Sequence, residues 1–198
     1  MKKAILGLLI IVGAVSAFLS YYDFFAKVEI REREMGPFYF AFDKHQGEYQ
    51  KIGPVFSKLY YRLMNDNIES KQGLGIYFDN PRVVEKINLR SIAACIVDGS
   101  KPENRSVLER KYMTGEIPKS VCAVAEFPYK GNLSVFLGVM RVYPKLMAWL
   151  SEKKCPDMPL LELYDQEAGK IFYIAPFHLP AEDFRKFFDK EEPLQPQE

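Results

Sequence analysis

The sequence has few of the residues that build metal sites and disulfide frameworks. Its 198 residues include three cysteines and two histidines, and it contains no CxxC or HExxH motif. An odd number of cysteines without paired spacing indicates neither a disulfide framework nor a zinc site. We interpret Cys95 and Cys122 as small apolar residues of strands. We therefore expect no metal and no cofactor.

The sequence also lacks an excess of either charge. Its 27 basic and 26 acidic side chains leave a net charge of +1. Such a balance gives no general attraction to nucleic acid, and we expect no nucleic-acid partner. What the sequence does have is a hydrophobic fraction of 48% and an aromatic fraction of 14%. The first is enough for a core, and the second favours strands and aromatic-lined pockets over a plain helical bundle.

The N-terminus carries a long uncharged run. Residues 4–22 contain no charged side chain, close to the roughly 20 apolar residues that cross a bilayer. A cleaved signal peptide is the alternative, because the small residues 15–17 form an acceptable cleavage site. Hydrophobicity continues through Phe24 and Phe25, so we favour a single-pass anchor over residues 1–26, in contact with lipid through residues 4–22.

The side of the membrane stays open. Lys2 and Lys3 precede the run and favour a cytoplasmic N-terminus, which gives an extracytoplasmic domain if the cell is bacterial. Lys27, Arg31 and Arg33 follow the run and weaken this assignment. The oligomeric state stays open as well.

The rest of the chain contains an internal repeat. Residues 75–80 resemble the stretch around residues 160–165, with Asp79 matching Asp165, and each stretch follows a glycine and an amphipathic helix. Each copy is predicted to fold as strand, helix, strand, strand. Two copies predict an α+β domain over residues 27–190, an antiparallel sheet with helices on one face. Residues 191–198 are predicted to be a disordered tail.

The helix of the second copy carries many apolar residues. Their spacing of three and four residues predicts one buried stripe. We assign that stripe to Leu133, Phe136, Leu137, Met140, Tyr143, Met147 and Leu150.

Glu162 is the main candidate for chemistry. Alternation along its strand puts Glu162 and Tyr164 on one face and the two neighbouring leucines on the other. Taken alone, this strand predicts an exposed Glu162, because glutamate is rarely buried. The repeat changes the interpretation, since it matches Ile76 and Phe78 of the first copy to Glu162 and Tyr164. An inward-facing carboxylate is costly unless it binds something or takes up a proton, so we predict a ligand site with a raised pKa at Glu162.

Five segments in a consistent order resemble the GyrI-like small-molecule-binding family, and within it a membrane-anchored branch that includes an autophagy receptor of the endoplasmic reticulum. The resemblance covers about residues 28–176. It is carried by residues 41–49, 75–81, 127–134, 141–144 and 161–164.

The resemblance implies a duplicated fold with a ligand cleft between the copies. In effector-binding relatives of bacterial multidrug regulators, a glutamate at the position of Glu162 meets cationic aromatic drugs. Other relatives are implied to hydrolyse cyclopropane-bearing natural products. The DNA-binding helix-turn-helix of the regulators and the long tail of the receptor have no counterpart in this sequence.

Together these features predict a membrane-anchored module that binds small amphipathic, cationic or aromatic molecules. A hydrolase that uses Glu162 and Tyr164, and an adaptor in a membrane process, remain alternatives. Phe42, Phe78 and Phe127 also fit a plain core. The candidate ligand-binding residues are Glu162, Tyr164, Phe78, Ile76, Phe42, Tyr112 and Phe127.

Overall fold

A computed structural model describes residues 2–99, 102–155 and 157–191. Within these ranges lie five α-helices and eight strands. The elements are α1 (Lys2–Tyr21), β1 (Arg31–Met35), β2 (Phe38–Gln46), α2 (Gly53–Asn65), β3 (Gln72–Tyr77), β4 (Arg90–Ile96), α3 (Pro102–Lys111), β5 (Met113–Ile117), β6 (Ser120–Pro128), α4 (Asn132–Glu152), β7 (Leu160–Asp165), β8 (Lys170–Ala175) and α5 (Ala181–Asp189). Of the predicted tail, residues 192–198 lie outside the described residues.

All eight strands form one antiparallel sheet in the order β1-β6-β8-β7-β3-β4-β2-β5. The first copy is β2-α2-β3-β4 and the second is β6-α4-β7-β8, and they join where β3 pairs with β7. Gly47 and Gly131, which precede the two helices, both adopt positive φ angles of 123° and 96°, a conformation that glycine reaches without strain. The predicted duplicated α+β fold is confirmed.

One face of the sheet is a closed hydrophobic core. Alternate residues of the central strands point to this face, and α5 adds Phe184 and Phe187 from one side of the helix. The ring of Phe187 lies 5.5 Å from that of Phe40 and 6.1 Å from that of Phe42, measured between centroids. The central strands contribute Leu74, Ile76, Ile92, Ala94, Leu161, Leu163, Phe172 and Ile174.

Helices α2 and α4 cover the other face of the sheet. Helix α2 packs against β2 and β4, and α4 packs against β6 and β8. The approach of α4 is close because Gly138 has no side chain: a Cβ there would overlap the hydroxyl of the buried Tyr173. Since the two helices lie over the strands on either side of the central pair, β3 and β7 form the floor of a groove between the helices.

The predicted match of Ile76 to Glu162 is wrong by one residue. Gly75 lies directly opposite Glu162 across the β3–β7 pair, and Ile76 lies opposite Leu161. Aligning the copies on Asp79 and Asp165 shifted one strand by one position. Because side chains alternate, such a shift moves every residue to the other face. Ile76 therefore belongs to the closed core and not to the face that carries Glu162.

The predicted buried stripe of α4 is also wrong in part. Leu137 and Leu150 are buried, but Phe136, Met140 and Met147 are exposed. The helix has apolar residues on two sides, so spacing alone could not identify the side that packs on the sheet. The buried side consists of Ser134, Leu137, Gly138, Val142, Leu146 and Leu150.

Helix α1 stands apart from the sheet along most of its length. It is long and apolar enough to cross a membrane and has no buried residue, as expected for an anchor or a signal sequence. Its C-terminal end and the segment that follows it contact the domain. The Lys130 ammonium group donates to the Tyr21 carbonyl and lies 3.2 Å from the Asp23 carboxylate. The Arg141 guanidinium donates to the Ala26 carbonyl at 3.0 Å.

Candidate ligand-binding groove

Glu162 lies in the middle of the sheet, on the groove face of β7. Its side chain is 2% exposed, and its neighbours across the two adjacent strands are Gly75 and Tyr173. A Cβ at Gly75 would come within 2.9 Å of the Tyr77 ring. The glycine therefore leaves the space in which the Tyr77 side chain folds back towards the carboxylate.

Three tyrosine hydroxyls surround the Glu162 carboxylate. Tyr143 donates to Oε1 at 2.7 Å, and Tyr77 donates to Oε2 at 3.4 Å. Tyr164, two residues along β7, also donates to Oε2. The hydroxyls of Tyr77 and Tyr164 lie 3.3 Å apart. Both oxygens of the carboxylate are thus hydrogen-bonded, although the group is buried.

Burial raises the pKa of Glu162, and the three tyrosine hydrogen bonds lower it only in part. The direction is the one predicted from the sequence. Burial and the nearby carboxylate raise the pKa values of Tyr77, Tyr143 and Tyr164 well above the usual range of tyrosine. These phenols therefore remain neutral donors. Within the described part of the chain, no lysine or arginine forms an ion pair with Glu162.

A second layer of aromatic rings holds the tyrosines. The ring of Tyr49 packs edge-on against Tyr77 with centroids 4.9 Å apart. Phe56 of α2 and Tyr129 flank Tyr164 at 5.8 and 5.9 Å. Edge-on and tilted contacts of this kind restrict ring orientation. The hydroxyls are thus held in place by contacts from both copies of the repeat.

The groove above Glu162 is large. Its volume is about 1710 Å³, beyond the roughly 300–1,000 Å³ of ordinary ligand pockets. Helix α2 contributes Phe56 and Tyr60 to one wall, and α4 contributes Phe136 and Met140 to the other. The arrangement is a polar, buried floor with a single carboxylate, under walls that are mainly apolar.

The structure brings three of the seven predicted site residues to this groove. Glu162, Tyr164 and Phe78 line it, and Phe78 also contacts the ring of Phe188 at 5.7 Å. Four others lie elsewhere, because their side chains point to packed interiors: Ile76 and Phe42 in the α5-side core, Phe127 beneath α4, and Tyr112 in the cluster under α2 and α3.

Sequence reasoning missed Tyr77, Tyr143 and Gly75. The one-residue shift in the repeat alignment hid Tyr77 and Gly75, since it assigned the wrong face of β3 to the site. Tyr143 was assigned to the buried stripe of α4. Correct alternation along β3, together with the pairing of Gly75 and Glu162, would have identified Tyr77.

Within the described residues, no three His, Cys, Asp or Glu side chains lie together as possible metal ligands. The groups on the groove floor are one carboxylate and three phenols. Such a group can attract a positive charge, accept a proton or donate neutral hydrogen bonds.

Comparison with known proteins matches residues 28–171 to the model of a GyrI-like small molecule binding domain. The chain is 28% identical over 144 residues to "Testis-expressed protein 264 homolog" of Mus musculus, a match that covers 69% of this chain and 44% of that protein. The corresponding Homo sapiens protein, "Testis-expressed protein 264", is 27% identical over 144 residues, covering 69% and 43%. The matches thus span less than half the length of these curated relatives.

Two solved structures share the fold at low sequence identity. A cryo-EM structure of an EcmrR–DNA complex has a TM-score of 0.55 at 11% identity, covering 88% of this chain and 67% of that one. A crystal structure of the EcmrR C-terminal domain has a TM-score of 0.50 at 11% identity, covering 75% and 96%. At this identity the likeness concerns the fold alone.

Proposed function

The chain belongs to the GyrI-like small-molecule-binding domain family, and from this premise we propose that it binds small amphipathic cations in a cleft between its two repeats, where Glu162 recognises the positive charge. One observation carries the proposal: Glu162 is buried on the groove floor among neutral tyrosines and has no ion-pair partner in the described residues.

The argument is energetic. A buried carboxylate is costly without a compensating charge, and neutral hydrogen bonds offset only part of that cost. A cationic ligand would supply the missing charge at the point where the tyrosines already hold the carboxylate oxygens. The surrounding rings would add cation–π attraction, about 0.5–2 kcal/mol for each well-placed contact. A neutral ligand of the same shape would gain only the apolar contacts.

We propose further that α1 is an uncleaved membrane anchor. Its length and its lack of buried residues support this assignment. N-terminal sequencing of the protein isolated from membranes tests it. An intact N-terminus supports the anchor, whereas a mature chain that begins near Phe18 indicates a cleaved signal peptide.

Binding is favoured over hydrolysis by the hydrogen bonds at the floor. A hydrolase would need Glu162 to deprotonate water and Tyr164 to assist the leaving group. Tyr164 donates its hydroxyl to Glu162 itself, and Tyr143 donates to the other carboxylate oxygen. A group that is held in this way is better suited to attract a cation than to activate water.

Calorimetric titration with an isosteric pair tests the proposed function. Benzyltrimethylammonium is the cation, and neopentylbenzene has the same shape without the charge. Glu162→Gln should lower the affinity for the cation by roughly tenfold or more, where tenfold is equivalent to about 1.4 kcal/mol. It should lower the affinity for neopentylbenzene much less. Glu116→Gln, an exposed position on β5, is the matched control and should change neither. Equal losses for both ligands in Glu162→Gln would contradict the proposal.

A further inference from the structure

A row of exposed apolar side chains runs along α4 inside the groove. Phe136, Met140 and Met147 are 59%, 53% and 42% exposed. Their spacing of four and seven residues puts them on one side of the helix. Tyr143, which donates to Glu162, lies in the same row. We call these four residues the α4 stripe.

The opposite wall is also apolar. Tyr60 and Tyr61 of α2 are 45% and 59% exposed and line the same groove. Single exposed apolar residues are common on protein surfaces, but two facing walls of them mark a binding site. The Glu162 cluster occupies only the floor, so a ligand that merely covered the carboxylate would leave most of these walls in water.

We propose that the α4 stripe binds the alkyl chain of a single-chain amphiphile whose cationic head group lies at Glu162. The position of the head group rests on the proposed function, and the chain-binding channel is an addition to it. Tyr143 links the two parts, since it contacts the carboxylate and is followed one turn later by Met147 and preceded by Met140. The stripe spans twelve residues of helix, and from Tyr143 it extends seven residues, roughly 10 Å, to Phe136, a length suited to an extended chain and not to a compact head group.

The composition of the walls favours an unbranched chain. Methionine side chains are flexible and polarisable, so they adapt to a ligand without a fixed shape. Lys71, Arg82 and Lys86 also line the groove, but all three are exposed, and salt screens their charge. The buried carboxylate therefore sets the sign of the head group, and an anionic amphiphile is the alternative that the experiment must exclude.

A chain-length series measures the channel separately from the head-group site. Tetramethylammonium, butyltrimethylammonium and octyltrimethylammonium are titrated below the micelle concentration into the full chain. The wild-type protein should bind the octyl compound roughly tenfold or more tightly than the butyl compound, because each buried methylene adds to the affinity. Octyl sulfate should bind more weakly than octyltrimethylammonium. A wild-type protein that shows no dependence on chain length, or that prefers octyl sulfate, overturns the proposal.

The variants assign the chain-length dependence to the stripe. The double variant Met140→Ser/Met147→Ser should reduce the octyl-to-butyl affinity ratio several-fold and leave tetramethylammonium binding unchanged. Met64→Ser is the matched control, because Met64 is 51% exposed on α2 and lies outside the groove lining. It should change neither quantity. An unchanged ratio in the double variant, or an equal reduction by Met64→Ser, overturns the proposal.

Glu162→Gln separates this proposal from the proposed function. This variant should lower the affinity for all three ammonium compounds by a similar factor and leave the octyl-to-butyl affinity ratio unchanged. If Glu162→Gln changes no affinity while the double variant still lowers the octyl-to-butyl affinity ratio, the result supports the channel and contradicts the role of Glu162. If the ratio instead disappears in Glu162→Gln, the chain is not bound independently along α4, and the channel falls.

Discussion

The two faces of the central strand pair β3–β7 share one hydrogen-bond ladder and carry opposite chemistry. Towards α5, the middle of the pair presents the buried aliphatic side chains of Leu74, Ile76, Leu161 and Leu163, and Gln72 pairs with Asp165 at one end. Towards the groove, it presents two glycines, two tyrosines, one leucine and one glutamate. The first face stabilises the sheet by removing apolar area from water. The second contributes little apolar burial and holds a costly carboxylate, as expected where stability is exchanged for binding.

Truncation of the closed face should have the largest effect on stability. Phe42→Ala should lower the free energy of unfolding by about 3–5 kcal/mol, since it opens a cavity beside Phe40 and Phe187. Urea denaturation measures this loss. At low urea, where the variant is still folded, its affinity for benzyltrimethylammonium should equal that of the wild-type protein. A loss of affinity without a loss of stability would indicate that Phe42 belongs to the binding site and not to the core.

The glycines of the groove face differ from each other in a testable way. Gly75→Ala should lower the free energy of unfolding by about 1–3 kcal/mol through overpacking, because its Cβ would lie 2.9 Å from the Tyr77 ring. Gly73→Ala is the matched control, since its Cβ would lie 3.5 Å from the nearest atom, an ordinary contact with Phe56. Thermal or urea unfolding compares the two variants. Equal effects would show that the Tyr77 ring does not depend on the space above Gly75.

Removal of one hydroxyl tests the tyrosine cluster. Tyr143→Phe should destabilise the fold by about 1–2 kcal/mol, because one oxygen of a buried carboxylate loses its donor. It should also raise the pKa of Glu162 further, so the loss should increase with pH. Tyr77→Phe removes a longer hydrogen bond, 3.4 Å against 2.7 Å, and should cost less. Unfolding curves at several pH values decide the order, and a larger effect of Tyr77→Phe would contradict this geometry.

Neutralising Glu162 should have the smallest effect on stability and the clearest pH signature. A carboxyl group with a raised pKa in the folded state stabilises the fold when protonated, and this contribution is lost as pH rises through the folded pKa. Glu162→Gln removes that dependence. Its stability at neutral pH should equal or exceed that of the wild-type protein, and its profile against pH should be flatter above the pKa of an exposed glutamate. A less stable variant at neutral pH would mean that the charged form is the stabilised one.

The fold could be predicted from the sequence because its evidence is local. Glycines at equivalent places, helical spacing and strand alternation are each readable within a few residues, and the order of the elements then predicts the duplicated sheet. Glu162 could also be identified, since a carboxylate on an inward face is unusual wherever it occurs.

The rest of the site depends on the register of the strands and the rotation of α4, which the sequence does not reveal. A shift of one residue in the match between the copies assigned Ile76 to the groove and hid Tyr77. The rotation of α4 decided that Met140 faces the groove while Val142 faces the sheet, and both patterns have helical spacing. The convergence of Tyr77, Tyr143 and Tyr164 on one carboxylate can be predicted only when the register of β3 and the rotation of α4 are both known.

The most direct measurement is a carbon-13 NMR titration of the Glu162 carboxyl group, with and without saturating benzyltrimethylammonium. The free protein should show a pKa above that of an exposed glutamate, because the group is desolvated. The bound protein should show a lower pKa, because a cation beside the carboxylate favours its charged form. A pKa that does not change on saturation would contradict the claim that Glu162 recognises the positive charge of the ligand.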